Sequence, residues 1–128
     1  PLYTRGFNPT VAMLRKKIAA LEHAEDALVF SSGSAAIAAA VISFTKATAR
    51  EMGPFGIRAN AVAPGIIDTG MTAGKYEPER RRAVIETIPL GRFGKPEEIA
   101  AVVLFLASTG SSYITGQTLF VEGGRMID

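Results

Sequence analysis

The chain has 128 residues, enough for one domain that buries roughly two thirds of the surface exposed by its unfolded form. With 48% hydrophobic and 20% charged residues, the composition excludes intrinsic disorder. The absence of cysteine excludes a disulfide framework, a thiolate metal site and a cysteine nucleophile, and a single histidine excludes a multi-histidine metal site. Fourteen basic against twelve acidic residues are too balanced to indicate nucleic acid as a partner.

The first predicted element is a helix that begins at Pro9. Asn8 suits the N-cap and Pro9 suits the first helical position. Apolar residues then recur at helical spacing, at Val11, Leu14, Ile18 and Leu21. The charged residues of this segment fall mainly off the apolar stripe, which is typical of a solvated helix face.

A strand and a second helix are predicted next. Residues 27–30 form a short apolar run of strand length, and residues 31–34 supply turn residues after it. The alanine-rich stretch that follows predicts a helix from about residue 34 to residue 51. Gly53 is its expected C-cap, and Pro54 forbids the helix to continue.

The third helical region lies in a long connection. Residues 57–63 predict a strand that stops at Pro64 and Gly65. Residues 66–94 then predict a loop with one short charged helix from residue 78 to about residue 87, and we interpret this connection as a lid. The arginines at positions 80–82 are expected to lie on its solvated face.

The last predicted elements complete an alternating pattern. Residues 96–107 predict a helix that is apolar nearly all round and would therefore be buried on two sides, and residues 117–121 predict a final strand. The order α-β-α-β-α-β predicts one α/β domain over residues 1–128, with a small Rossmann-like parallel sheet of three strands in two or three layers.

No segment predicts a membrane span or an export signal. The longest apolar stretch, residues 35–44, is much shorter than the ~18 residues of a transmembrane helix and is interrupted by Ser43. The first residues have neither a signal-peptide layout nor an initiator methionine. We therefore expect a trimmed chain located in the cytoplasm, without a membrane partner.

From residue 44 onward the chain resembles the C-terminal half of the short-chain dehydrogenase/reductase family. The resemblance rests on FTKATAREMGPFGIRANAVAPGIIDTGM, LGRFGKPEEIAAVVLFLAS and SSYITGQTLFVEGG, about two thirds of the chain. It implies NAD(P) as cofactor: Pro64 and Gly65 end the strand, the Ile67 backbone meets the nicotinamide carboxamide, and the Thr69 hydroxyl meets the pyrophosphate. It also implies a substrate lid over residues 71–91 and a subunit interface at the last helix and strand.

The first forty residues resemble a different family, the pyridoxal-phosphate enzymes of the cystathionine synthase and lyase group. The strings are YTRGFNPT and LVFSSGSAAIAAA. This resemblance implies that Tyr3 and Arg5 bind the coenzyme phosphate of a neighbouring subunit, and that the backbone N–H groups of Gly33 and Ser34 bind it at a helix N-terminus. The two resemblances together predict a chimera of residues 1–40 and residues 41–128.

The catalytic groups of both families are incomplete. The tyrosine and lysine that short-chain dehydrogenases use for proton transfer fall, counted back from the FTK string, on Ser34 and Ala38. Tyr76 and Arg80 come closest to a tyrosine with a basic residue four positions later, but they fall in the predicted lid helix. Residues 31–34 hold one glycine where a dinucleotide turn needs three, and the Schiff-base lysine of pyridoxal enzymes has no counterpart. We therefore predict no catalytic residue and no metal ligand.

What remains is a predicted anion cradle at the carboxyl edge of the sheet. Its cofactor-binding candidates are Ser32, Gly33, Ser34, Pro64, Gly65, Ile67 and Thr69. A phosphate or sulfate is the expected ligand, with NAD(P) a stronger candidate cofactor than pyridoxal phosphate. The alternative is that the serines simply cap the second helix.

Three functions stay open. The first is a recombined α/β domain that is catalytically inactive alone and forms a homo-oligomer through exposed apolar surface. The second is a fragment of an NAD(P)-dependent short-chain oxidoreductase that acts in a complex. The third is a phosphate or pyridoxal-phosphate binding module.

Overall fold

The computed structural model describes residues 9–25, 28, 32–70, 72 and 74–126. The contacts of the chain divide it into two compact units, one up to Val41 and one from Ile42 onward. The helices and strands in chain order are α1 (Pro9–Leu21), α2 (Gly33–Met52), β1 (Ala61–Pro64), α3 (Pro78–Glu86), α4 (Pro96–Ala107) and β2 (Thr118–Val121). All four predicted helices are confirmed, each within about one residue of its predicted ends.

The sheet consists of β1 and β2, which run parallel with Ala61 opposite Thr118 and Pro64 opposite Val121. Parallel neighbours need a crossover connection, and α3 and α4 supply it. The predicted α/β class with a small parallel sheet is thus confirmed. The strand predicted at residues 27–30 lies outside the described residues except for Leu28, which is not in a strand.

The strand β1 begins later than predicted, at Ala61 instead of residue 57. The segment before it bonds to the loop that leads into β2: the Ala59 carbonyl accepts the Gly116 N–H at 2.7 Å, and the Ala59 N–H donates to Thr115 Oγ1 at 3.1 Å. The Arg58 guanidinium reaches past this segment and donates to the Leu106 carbonyl at 2.7 Å. These bonds hold the approach to β1 in an irregular path.

The Asn60 side chain holds the start of β1 against the segment that leads into β2. Its Nδ2 donates to the Ile114 carbonyl at 2.9 Å, and its Oδ1 accepts the Gln117 N–H at 3.0 Å. Directly after it, the Ala61 N–H donates to the Gln117 carbonyl at 2.8 Å, which begins the backbone pairing of the two strands. One amide side chain therefore satisfies two backbone groups where the parallel pairing starts.

The prediction that Gly53 caps α2 is wrong. After Met52 the chain enters a short 3-10 turn, Gly53–Phe55, which has the proline in its first positions. The left-handed residue follows this turn: Gly56 has φ +73° and donates its N–H to the Gly53 carbonyl at 2.9 Å. The proline tightens the end of the helix and moves the glycine cap three residues along the chain.

The expected burial of α4 on two sides is also wrong. None of its residues is buried, and Leu104 is 72% exposed. The helix contacts β1, so it packs with one face and leaves the other open. The buried side chains of this unit are instead Ala49, Ile88, Phe93, Thr45 and Ser111. No helix in the described part of the chain combines the length and the apolarity needed to cross a membrane.

Candidate functional site

Four candidates lie in one short segment, residues 64–69, which begins at the last residue of β1 and which we name the post-β1 loop. The Gly65 N–H donates to the Val121 carbonyl at 2.9 Å, so the pairing with β2 continues one residue past the strand. A Cβ atom at Gly65 would lie 2.6 Å from both Cα and Cβ of Glu122. Only glycine permits this close approach of the two chain segments.

Ile67 turns its backbone N–H away from its bridge partner Gly94. It forms an isolated parallel bridge with Gly94, in which the Asp68 N–H donates to the Gly94 carbonyl at 2.8 Å and the Gly94 N–H donates to the Ile66 carbonyl at 2.9 Å. The neighbours of Ile67 supply these bonds, so its own N–H and C=O point to the opposite side. None of the described residues accepts a hydrogen bond from the Ile67 N–H.

Thr72 holds the end of the loop, although the sequence did not mark it as a candidate. Its Oγ1 accepts the Thr69 N–H at 2.8 Å and donates toward the Ile67 carbonyl, also at 2.8 Å. The Thr69 hydroxyl is exposed and lies 3.4 Å from Thr72 Oγ1. The signal that could have found Thr72 is the Thr-x-x-Thr spacing, because hydroxyl side chains bond nearby backbone groups in turns.

The middle of the post-β1 loop is tied to α3. Arg81 donates to Asp68 Oδ2 at 2.9 Å, and its guanidinium lies 4.4 Å from the centroid of the Phe93 ring. The prediction that all three arginines at positions 80–82 are solvated is therefore wrong for Arg81. A carboxylate and a buried aromatic ring, neither of them near it in sequence, hold its side chain.

Tyr76 precedes α3 instead of lying within it. Its ring packs against the edge of Phe93, with centroids 5.8 Å apart and planes at 62°. The Arg80 guanidinium lies 5.9 Å from the Tyr76 centroid. The Tyr76 ring therefore packs against both Arg80 and Phe93, just before α3 begins.

An ion pair lies at the start of α4. Arg92 donates to both oxygens of Glu98, at 2.8 Å and 2.7 Å, and the Lys95 N–H donates to Glu98 Oε2 at 2.7 Å. The bonds from Arg92, and after them the bond from the Lys95 N–H, lower the pKa of Glu98 to about 2. The pair borders a small open cleft of about 80 Å³ whose other lining residues include Ile66, Ile67, Leu90, Ile99 and Val121.

The other three candidates lie at the start of α2, in the unit up to Val41. Ser32 Oγ accepts the Ala35 N–H at 3.2 Å and lies 3.1 Å from Ser34 Oγ, while a Cβ atom at Gly33 would meet open space. This is helix capping, the alternative that the sequence left open. Ser34 and Ala38, at the positions of the family's tyrosine and lysine, are exposed residues of α2. Tyr3 and Arg5 lie outside the described residues.

A protein-family model described as Enoyl-(Acyl carrier protein) reductase matches residues 19–125. This match begins in α1, well before residue 44, where the sequence predicted a change of family. No comparison shows a segment of the pyridoxal-phosphate type in the first forty residues, and none shows a chimera.

The chain is similar to a 3-oxoacyl-(acyl-carrier-protein) reductase FabG of Thermotoga maritima, with 54% identity over 93 residues, or 73% of this chain and 37% of the relative. The FabG of Aquifex aeolicus is 55% identical over 86 residues, or 67% of this chain and 34% of the relative. The chain thus spans little more than a third of the length of these relatives.

Solved structures resemble the chain over a similar share. The crystal structure of a 3-oxoacyl-(acyl-carrier protein) reductase from Brucella melitensis has a TM-score of 0.67 at 48% identity, covering 70% of this chain and 33% of that one. A putative 2-deoxy-D-gluconate 3-dehydrogenase from Agrobacterium tumefaciens with bound NADP has a TM-score of 0.65 at 39% identity, covering 69% of this chain and 36% of that one.

Proposed function

The chain belongs to the short-chain dehydrogenase/reductase family, and we propose that it forms the nicotinamide side of an NAD(P)-dependent oxidoreductase site that residues outside these 128 must complete. The observation that carries the proposal is the post-β1 loop. There the Ile67 N–H, which no described residue accepts, and the exposed Thr69 follow the carboxyl end of a parallel strand. Ligands of open α/β sheets bind at that edge.

The groups of the loop fit a dinucleotide. A carboxamide carries an oxygen that accepts hydrogen bonds, and the Ile67 N–H is a donor without a partner among the described residues. The Thr69 residue is exposed, and its hydroxyl makes one long contact, 3.4 Å, with Thr72 Oγ1, which a phosphate oxygen can replace as acceptor. Gly65 lets the backbone at the start of the loop lie close to Glu122, directly after β2. When bound, the reduced cofactor supplies a hydride.

The chain does not carry out reduction alone under this proposal. A carbonyl that accepts a hydride also needs a proton, and a phenol next to a lysine ammonium is a suitable donor. Ser34 and Ala38 stand at those positions. An alcohol is a much weaker acid than a phenol, and a methyl group cannot donate. The proton donor and the glycine-rich nucleotide turn must come from outside these 128 residues. The names of the relatives favour a keto group as the substrate.

A titration with NADPH tests the proposal. We expect quenching or enhancement of the reduced-nicotinamide fluorescence, weakened about tenfold by Thr69→Val, because a hydrogen bond to a charged group contributes about 1.5–3 kcal/mol. The matched control is Thr109→Val, an exposed threonine in the turn after α4. We also expect no NADPH oxidation with a panel of carbonyl compounds. Turnover by the chain alone, or an unchanged fluorescence, would contradict the proposal.

We further propose that the open face of α4 binds a second copy of the chain. Val103, Leu104 and Phe105 are 51%, 72% and 43% exposed, and an apolar helix face of this kind is unfavourable in water. Light scattering coupled to size-exclusion chromatography should show a homo-oligomer that Leu104→Lys reduces to a monomer. Tyr113→Lys, at an exposed residue outside α4, should leave the oligomer intact. A monomer at micromolar concentration would overturn this part.

The phosphate or pyridoxal-phosphate module, and with it the chimera, stays a prediction with less support. The Ser32 hydroxyl that was to bind an anion already accepts a backbone hydrogen bond. An absorbance titration with pyridoxal phosphate decides between the two readings. A new coenzyme band would support the module, whereas an unchanged spectrum leaves helix capping as the role of these serines.

A further inference from the structure

We infer that Arg81 is a positioning residue that sets the conformation of the post-β1 loop from the adjacent helix α3. Its consequence for cofactor affinity rests on the function proposed above. Arg81 is the second of three consecutive arginines, and it differs from its neighbour Arg82 in its surroundings. Arg81 bonds Asp68 and covers the Phe93 ring, whereas Arg82 is exposed and makes no contact of this kind with the described residues.

Arg81 bonds the post-β1 loop at Asp68, which lies at the centre of the proposed site. Asp68 lies between Ile67 and Thr69, the two residues whose groups face the expected cofactor. The Asp68 backbone is held by the Gly94 carbonyl at 2.8 Å, and its carboxylate is held by Arg81 at 2.9 Å. With both ends of Asp68 fixed, the peptide planes on either side of it have little freedom to rotate.

The second contact of Arg81 reaches the same loop by another route. Phe93 is only 4% exposed and immediately precedes Gly94, the bridge partner of Ile67. The guanidinium lies 4.4 Å from the Phe93 centroid, so one planar group contacts both segments that meet at the bridge. A planar guanidinium can stack on a ring while its edge pairs with a carboxylate, and a lysine ammonium cannot do both.

Backbone hydrogen exchange tests the inference, with Arg81→Ala, Arg81→Lys and the control Arg82→Ala. Loss of an exposed ion pair and a cation–π contact should speed exchange at the Asp68 and Thr69 N–H groups about threefold to tenfold in Arg81→Ala, with a smaller effect in Arg81→Lys. The Gly65 N–H, bonded to β2, should be unchanged in every variant. Equal exchange in Arg81→Ala and Arg82→Ala would overturn the inference.

The same variants separate this inference from the proposed function. If NADPH binds, its Kd should rise in Arg81→Ala by about the same factor as the exchange rate and stay unchanged in Arg82→Ala. If NADPH does not bind the unaltered chain, the proposed function fails, and hydrogen exchange alone decides the role of Arg81. Asp68→Asn removes the charge from the loop and leaves α3 intact. It should repeat the exchange result, and a normal rate in this variant would also contradict the inference.

Discussion

At the amino end of β1, Arg58 and Asn60 use their side chains to bond backbone carbonyls far along the chain, whereas at the carboxyl end the Ile67 N–H has no partner among the described residues. At the amino end, the polar side chains bond the backbone of another segment. At the carboxyl end, Thr72 and Arg81 hold the loop, and the Ile67 N–H and the exposed Thr69 are left to bind a ligand under our proposal. The difference separates a structural end of the strand from the end that we propose binds the cofactor.

Removing the Arg58 guanidinium should have the largest effect on stability. Arg58→Met keeps the aliphatic stem but loses the bonds to the Leu106 and Ile114 carbonyls, which are part-buried. We expect the free energy of unfolding to fall by about 2–3 kcal/mol, the range for hydrogen bonds from a charged group. Urea denaturation followed by circular dichroism measures this change.

The control for Arg58→Met is Arg125→Met, an exposed arginine near the other end of the sheet. It should change the stability by less than about 0.5 kcal/mol, as surface substitutions usually do. Equal effects of the two substitutions would mean that the amino end of β1 is not held by Arg58, and the contrast between the two strand ends would be lost.

A methyl group at Gly65 should cost nearly as much and should also disturb the site. Gly65→Ala places a carbon 2.6 Å from two atoms of Glu122, so the loop and β2 must separate. We expect a loss of about 1–3 kcal/mol, as for overpacked sites. Gly70→Ala, where a Cβ atom would meet nothing within 4 Å, is the matched control. Stability of Gly65→Ala at or above that of the control would refute the close approach.

The ion pair at α4 should have the smallest effect, visible as a pH dependence. The pKa of Glu98 is lowered from 4.5 to about 2, so its contribution is complete above pH 4.5 and is lost as the pH falls toward 2. The stability difference between the unaltered chain and Glu98→Gln should therefore shrink across that interval. Glu97→Gln, at an exposed residue of the same helix, is the control substitution. A pH-independent difference for Glu98→Gln would rule out the pairing with Arg92.

The sequence predicted what local chemistry decides. The start of α1 at Pro9 and the bounds of α4 follow from proline at the first helical position and from apolar spacing, and both are confirmed. The late start of β1 and the pairing of Arg81 were not predicted, because each depends on residues distant in sequence. Asn60 bonds a carbonyl 54 positions away, and Arg81 a carboxylate 13 positions away.

The site was predicted in the same uneven way. The resemblance of the segment from residue 44 onward placed Gly65, Ile67 and Thr69 in one loop, as the structure has them. It did not indicate Thr72, whose hydroxyl serves the loop through a turn. The serines at the start of α2 were proposed from the resemblance to pyridoxal-phosphate enzymes. The hydrogen bond from the Ala35 N–H to Ser32 Oγ accounts for Ser32 as a helix cap, without a ligand.

The most direct test is a nuclear magnetic resonance titration of the isotope-labelled chain with NADP, which reports each backbone N–H separately. The account predicts that the largest shifts occur at Ile67 and Thr69, with smaller ones at Gly94 across the bridge and little change at Asn60 and Gln117. Shifts confined to Gly33 and Ser34, or none at the post-β1 loop at saturating NADP, would contradict it.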